Sequence, residues 1–532
     1  MAEALQLHHD QDLFESEGPK VILTNAFDDS FNNAVATART CYSSRVISSE
    51  DVDKTDKSRE QRDRIAESIY AAGHHTTIQH ATFQFVLENV SRQFLWSFLH
   101  AHPFYNSEQV SQRYVSVKPD RVLIPKLSGQ AAKRYRQTVQ EQMACYKRLV
   151  DLLTQPASKA YFSIFQARKK HEERYAGALK KKAQEVARYA LPVGTFAHLY
   201  HTVSGLTLHR YNRLCRIVDV PKETELVIAL MIEAVNQHDP LFFRSIEDPM
   251  PIEDTHEFKA LQNYNRLKVS SEQKRFIDHF DTELDGRISR MVGFKPAGEA
   301  LVARSVRSML GMLPEELSDA EAIALVLDPA KNNYLPGALN LTSLGKLSRA
   351  MNHPHFTFQK KLSHSADSQD QRHRMVPGSR PILHCHYSGG EPDVVVPALL
   401  RQSQEAYDCF TETMHNTWQA IDELLDMDVS PEDALYLLPN AFPIRFEESG
   451  DLSAFHHKWT TRLCYNAQEE IWGASLEEVR QVREVHPVLG QYLEPPCGVR
   501  LRAGEKPYCP EGDRYCGVPV WRLPMEEYER VI

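Results

Sequence analysis

The sequence predicts an α+β fold, helix-rich with a small antiparallel sheet, built twice in tandem. Three observations carry this. A chain of 532 residues exceeds what one hydrophobic core can organise. Three short blocks recur in the same order, half a chain apart. Each half also alternates short strand-like runs with longer apolar patterns at helical spacing.

The first repeated block is His-x-x-Phe-x-Phe, at His80, Phe83, Phe85 and again at His353, Phe356, Phe358. The second is "ARYALP", ending at Pro192, against "LYLLP", ending at Pro439. The third is "SGLTLHRYNRLC", ending at Cys215, against "SAFHHKWTTRLC", ending at Cys464, which aligns Ser204 with Ser453 and Arg213 with Arg462. A period this long means two domains and not a solenoid. Each half opens with a short amphipathic helix carrying Ala-Arg (Ala38-Arg39, Ala303-Arg304), then a short alternating strand and a long helix. Later helices are expected over 141–155 and 402–427. Residues 251–287 are polar and charged with little apolar periodicity, so the expected division is 1–250, a connecting region over 251–287, and 288–532.

Hydrophobic residues at 42% and charged residues at 25% match ordinary globular protein, which excludes bulk disorder. A net charge of -9 argues against a general nucleic-acid binder, which needs a basic surface to release counterions. The N-terminal residues lack a basic start followed by an apolar core, and no apolar run reaches the length of a membrane span. A cytoplasmic protein with no membrane partner is expected. Nine scattered cysteines fit reduced thiols in such a compartment.

Three stretches carry chemistry. In "SADSQDQRHRMVPGSRPIL" (365–383), Gln369, Arg372 and His373 share one helix face. Cations in a last helical turn stabilise the carbonyl end by roughly 0.3–1 kcal/mol each, so spacing alone leaves a ligand surface and a charged helix end equally open. In "AAGHHTTIQHATF", Thr76 and Gln79 stand at capping-box spacing, and the free N–H groups of such a helix start suit a phosphate or pyrophosphate. Its histidines lack a further ligand at matching spacing, so no metal is assigned there. In "FYNSEQVSQRYVSV" (104–117), Ser111 and Arg113 offer a hydroxyl and a guanidinium to a phosphate.

Together, "GHHTTIQHATFQFVLENVSR", "NSEQVSQRYV" and "QDQRHR" resemble the flavin-dependent thymidylate synthases, whose signature is Arg-His-Arg, seven residues, then Ser. This chain splits that signature. Arg372-His373-Arg374 is followed after seven residues by Ile382, whereas Ser111 is preceded at the strict position by Ala101-His102-Pro103, or by His100-Ala101-His102 when shifted by one. The resemblance implies a homotetramer whose sites lie between subunits. A homodimer of this doubled chain then imitates the tetramer and holds composite sites.

The resemblance further implies dUMP contacts at Gln369, Arg372, Gln109, Ser111, Arg113, Arg188 and Arg462, with Gln109 replacing a usual acidic residue. It implies FAD contacts at His74, Thr76, Gln79, Arg372, His373 and Arg374, with Gln79 replacing a usual glutamate; Asp451, Ser453 and His457 fit its remaining flavin pattern loosely. Arg462, followed by Ala467, Gln468, Glu470 and Ile471, matches the arginine that activates the uracil, and Arg213 is read as its first-half counterpart. Such an arginine stabilises the negative charge that develops on the pyrimidine when C5 is methylated, so Arg462 is the expected catalytic residue. Reduced FAD supplies the hydride, methylenetetrahydrofolate the carbon and NADPH the reducing equivalents, so no cysteine nucleophile is needed. Two other readings stand beside this one: a non-catalytic nucleotide-binding paralogue, and a flavin-dependent enzyme transferring one carbon to another pyrimidine nucleotide.

In the tail, Cys497, Cys509 and Cys516 are separated by eleven and six residues. That is not a standard zinc spacing, although Cys464 or a histidine could complete a set, and the plain expectation is reduced cysteines in a packed loop with no metal.

Overall fold

The computed structural model describes residues 13–102, 104–244, 251–265, 271–337, 345–530 and 532. Pro103, the N-terminal residues before 13 and part of the connecting region, 266–270, lie outside the described residues.

Two four-stranded antiparallel sheets carry the same strand order. The first contains β1 (Lys20–Ala26), β2 (Thr82–Ser91), β3 (Tyr105–Gln109) and β4 (Phe196–Ser204), arranged β1-β2-β4-β3. The second contains β5 (Ser289–Phe294), β6 (His355–Ser363), β7 (Gly378–Ser379) and β8 (Pro443–Asp451), arranged β5-β6-β8-β7. The repeated Phe-x-Phe lies on β2 and β6, where alternation turns Phe83, Phe85, Phe356 and Phe358 into the core. Ala38-Arg39 falls in the helix Ser30–Thr40 and Ala303-Arg304 in Gly298–Leu310. The two long helices are Gly129–Ile164 and Gln404–Asp426, both with a buried apolar stripe. Within the connecting region, the helices His256–Asn265 and Ser271–Leu284 form, and the second packs on the later half through Asp281, which pairs with Lys361 at 2.6 Å and Arg445 at 2.7 Å.

The halves meet across a local two-fold relation centred on the "ALP" and "LLP" segments. Val193 and Gly194 donate backbone N–H groups to Leu438 (2.7 Å) and Tyr436 (2.9 Å), while Asn440 and Ala441 donate to Leu191 (2.8 Å) and Tyr189 (3.0 Å). A side chain at position 194 would stand 3.1 Å from the Tyr436 carbonyl, so glycine permits this approach. The exchange continues in the core. Glu223 accepts from Ser91 N (2.7 Å) and Oγ (2.6 Å) of its own half and from Tyr436 Oη (2.8 Å) of the other. Glu470 reciprocates with Ser363 N (2.7 Å) and Oγ (2.5 Å) and with Tyr189 Oη. The two long helices also face one another, with Cys145 and Cys409 sulfurs 3.7 Å apart.

Strand register and helix caps give an internal alignment. Ser204 and Asp451 cap the helices Gly205–Leu214 and Leu452–Arg462 by accepting from Thr207 N and Ala454 N. This corrects the third sequence block by two residues. Lys458, and not Thr460 as the sequence block implies, is the positional counterpart of Tyr211, and Thr460 rather than Arg462 is that of Arg213. The shared Arg-Leu-Cys letters mark similar helix ends rather than equivalent positions.

Candidate active site

The Arg-His-Arg element does not lie within a helix. The helix His364–Asp370 stops at Gln371, which takes its last carbonyl bonds, and Arg372, His373 and Arg374 follow in a turn. Leaving the helix there lets Arg372 and Arg374 reach the earlier half, while His373 turns to Arg462 and His457 of its own half. Arg372 Nη2 meets Glu108 at 3.0 Å, and Arg374 Nη2 donates to Asn106 Oδ1 at 3.4 Å while its guanidinium lies 5.0 Å from the Tyr105 ring centre. Both partners belong to β3, three to five residues before Ser111 or the nearby Gln109 loop. The separated pieces of the signature therefore converge within one chain.

Arg462 joins the same cluster. It donates from Nε to His373 Nε2 (2.8 Å) and from Nη2 to the Gln369 carbonyl (3.2 Å). An arginine donor requires His373 Nε2 to accept, so the imidazole is neutral; burial first, then Arg462 and Lys458, push its pKa well below the ordinary value. Burial lowers Arg462 to about 10, against which the Asp370 carboxylate works. The guanidinium stays charged at neutral pH.

In the earlier half, Arg113 pairs with Glu185 at 2.8 Å and donates to the Asn466 carbonyl of the later half at 3.1 Å, four residues beyond Arg462. Ser111 Oγ accepts from Arg113 N (3.3 Å), and Gln109 Oε1 accepts from Arg92 (3.3 Å). Arg188 is buried, donates Nε to the Glu185 carbonyl (3.1 Å), and has Nη2 buried with no partner. Burial would raise Glu185, yet Arg113, Lys182, Arg188 and Arg530 together hold it below the ordinary carboxylate value. One carboxylate thus faces several cations, and the buried, unpartnered Nη2 of Arg188 leaves a donor that an anion would satisfy.

A cleft of about 890 Å³ opens between the halves. Its walls include Asn352, Arg372, His373, Arg374, Asp451 and His457 from the later half, with Thr82, Tyr105, Asn106 and Ser204 from the earlier. That volume lies within the range of cofactor-sized sites. The exposed Arg372, the half-buried Arg374 and the His373 and His457 rings, 5.9 Å apart, suit the charged phosphates and flat ring of a dinucleotide, so the residues present fit FAD.

His74, Thr76 and Gln79 are not brought to this cleft. They sit exposed on a short 3-10 turn, His75–His80, in which His74 makes no side-chain cap; the turn runs directly into β2 and leaves no room for a capped α-helix. The expected capping box is therefore absent. On the corresponding turn, Leu347–Asn352, Asn352, the counterpart of Gln79, and its neighbour Met351 line the cleft, whereas Leu347 and Arg349, the counterparts of His74 and Thr76, do not. Sequence reasoning missed Met351 and Asn352, although the register already set by His80 and His353 places Asn352 opposite Gln79. It also missed Glu185, for which no sequence signal exists.

The other half-signature is spent internally. Counted from the helix caps Ser91 and Ser363, the counterparts of Arg372, His373 and Arg374 are His100, Ala101 and His102. His102 Nε2 contacts Arg210 Nη1 at 2.9 Å, and His100 packs edge-on against Trp96 with ring centres 4.5 Å apart.

Among the described residues no helix is long and apolar enough to cross a membrane. The family model described as "Thymidylate synthase complementing protein" matches residues 22–241 and again 298–488. A flavin-dependent thymidylate synthase of Geobacter sulfurreducens is 29% identical over 225 residues, covering 42% of this chain and 88% of the relative. One of Pyrococcus abyssi is 28% identical over 169 residues, covering 30% and 67%. A crystal structure of a UMP/dUMP methylase, PolB, from Streptomyces cacaoi bound with 5-Br dUMP aligns at 18% identity and a TM-score of 0.27, over 43% of this chain and 95% of that one. The two family matches cover most of the chain, one on each half, and the two sheets share one strand order: the chain belongs to the thymidylate synthase complementing protein family, with the family's domain present twice.

Proposed function

We propose that the protein is an FAD-dependent thymidylate synthase that methylates dUMP to dTMP, with methylenetetrahydrofolate as carbon donor and NADPH as reductant. The observation that carries this reading is the reunion of the split signature: Arg372 and Arg374 reach β3 of the earlier half while Arg113 reaches the Asn466 carbonyl of the later one. One composite site per chain follows, and two in a homodimer. The division 1–250, 251–287 and 288–532 is the domain plan of this reading.

In it, Ser111, Arg113 and Arg188 hold the nucleotide phosphate, Gln369 and Arg372 orient dUMP, and Gln109 keeps Arg92 beside the loop. The exposed Arg372–Glu108 pair is worth at most about 1 kcal/mol, so an anionic ligand displaces Glu108 at little cost. Arg462 stabilises charge on the uracil, held in place by neutral His373. FAD, when bound, supplies hydride chemistry. Arg372, His373 and Arg374 hold it from one side and Asn352, Asp451 and His457 from the other, in place of the exposed His74, Thr76 and Gln79.

The test is tritium release from C5-labelled dUMP by the full chain with FAD, NADPH and methylenetetrahydrofolate, alongside a flavin absorption titration. Release dependent on all three cofactors is expected. A protein that binds neither FAD nor dUMP, or binds both without release, overturns the assignment.

A further inference from the structure

The C-terminal tail has little to hold it together. From Pro495 onward it contains one seven-residue helix, Pro496–Arg502, and three-residue turns, with Val499, Val520, Met525 and Tyr528 as its buried apolar side chains. So small a core does not by itself fix a loop of this length, and natural proteins supply a staple in such places. Four of the nine cysteines gather there. Cys464, just past the helix Leu452–Arg462, Cys497 in the first turn of Pro496–Arg502, and Cys509 and Cys516 on the following loop all line one small enclosed cavity of about 20 Å³. That is room for a single water-sized or ion-sized particle. The remaining walls are chiefly Leu463, Pro496, Val518, Val520 and Trp521, with Glu511 at the side.

We propose that Cys464, Cys497, Cys509 and Cys516 are the ligands of one structural zinc ion. Four thiolates in tetrahedral array are the common donor set of closed zinc sites, with zinc–sulfur distances of about 2.3 Å. The loop is shaped to return its second thiol to the first: Gly512 and Gly517, either side of the turn, have φ of 55° and 88°, and a Cβ on Gly517 would lie 2.4 Å from the Phe165 ring. The metal-free sulfurs do not yet stand at ligand spacing among the described residues. A χ1 change moves a cysteine sulfur by roughly 3 Å, and closing the site calls for such rotations. Cys516, for example, now directs its sulfur at the Val518 carbonyl, 3.5 Å away.

Binding is a proton exchange. Zinc forms four zinc–sulfur bonds, four S–H bonds break, and four protons leave to solvent, giving a site of net charge minus two. Arg530 interacts with both Cys464 and Cys516 and offsets part of that charge. The ion would fasten the tail to the segment after Arg462, where Asn466 already donates to the Arg514 carbonyl at 2.6 Å and Arg530 donates to the Ala467 carbonyl at 2.5 Å.

This inference stands apart from the catalytic reading, and its test measures metal and not turnover. Full chain purified under reducing conditions without chelator is assayed by plasma mass spectrometry, with one zinc per chain expected. Zinc-stripped protein is then loaded with cobalt(II), which should show the intense sulfur-to-cobalt charge-transfer bands of a thiolate site. The Cys509→Ser/Cys516→Ser variant should lose the zinc, and Cys41→Ser, altering an exposed thiol, should keep it. Wild type with no bound zinc and no cobalt–thiolate bands overturns the proposal, as does full zinc content in the double variant. Should that variant fail to fold, the wild-type cobalt spectrum decides alone.

Discussion

The two halves solve the same packing problem with opposite chemistry. In the earlier half, Leu87, Phe98, His201, Tyr211 and Met231 meet behind the sheet; Phe98 lies 5.0 Å from the His201 ring centre and 4.4 Å from that of Tyr211. By strand register and helix caps, the later half places Lys360, Asp370, Glu448, Lys458 and Glu478 at those five positions. Lys360 meets Asp370 at 3.2 Å, Glu448 at 2.8 Å and Glu478 at 2.9 Å, Lys458 meets Asp370 at 3.0 Å and also Glu448, and none of the five side chains is more than 1% exposed. Burying five charges is costly when apolar packing is available. The difference follows the site: Asp370 adjoins Arg462 and His373, and its carboxylate supports the Arg462 charge against burial. The half that supplies Arg462 carries ionisable groups in its core, and the half without an Arg-His-Arg carries three aromatic rings, a leucine and a methionine at the same positions.

The largest effect should come from breaking the ion cluster on one side only. Lys458→Met leaves buried carboxylates uncompensated and should lower stability by about 3–5 kcal/mol in urea unfolding. Copying the earlier half's five residues together (Lys360→Leu, Asp370→Phe, Glu448→His, Lys458→Tyr, Glu478→Met) should instead preserve folding while impairing tritium release. A quintuple variant that unfolds, or that stays fully active, breaks the comparison.

Next in size is the site arginine. Arg462→Ala should lower kcat for tritium release by about 10²–10³-fold with flavin still bound, as removal of a charge-stabilising donor does elsewhere. Arg213→Ala should leave kcat within about two-fold of wild type, a direct check on the two-residue register correction; the wild-type scale for such conservative surface changes is small. Equal losses from both substitutions would restore the register read from sequence.

Smaller effects probe the symmetric seam. Tyr436→Phe removes one hydrogen bond to a buried carboxylate across the halves and should cost about 1–2 kcal/mol by thermal unfolding; Tyr189→Phe also removes the bond Tyr189 Oη accepts from Gln468 (2.5 Å) and should cost more. Equal costs would show that the Gln468 bond adds nothing to the seam. The smallest is a pH slope. Burial raises Glu223 from 4.5 to about 7, so its stabilising contribution is present below 4.5 and is lost as pH rises through about 7. Glu223→Gln, with nothing to ionise, should show a shallower fall in Tm across that window.

Much of this was legible in the residues. Period-two burial of Phe83, Phe85, Phe356 and Phe358 follows directly from their spacing, and the long apolar stripes around Cys145 and Trp418 give the two long helices. Capping at Thr76 was misread because six residues before a strand form a 3-10 turn, whatever their cap letters suggest. The Arg-Leu-Cys match misled because identical letters at two helix ends outweighed caps that differ, Ser204 in one and Asp451 in the other.

What the sequence by itself determined is the doubled plan, the strand-and-helix periodicity of each copy, and the presence of two incomplete signatures. These rest on local side-chain alternation and on letters that recur at a fixed distance. The tertiary structure alone brings Arg372 and Arg374 onto β3 of the earlier half, sets Asn352 and not Gln79 in the cleft wall, and gathers four cysteines at one cavity. Each of those depends on packing between segments far apart in the chain, where no spacing rule reaches and only the shape of the folded interface selects the partner.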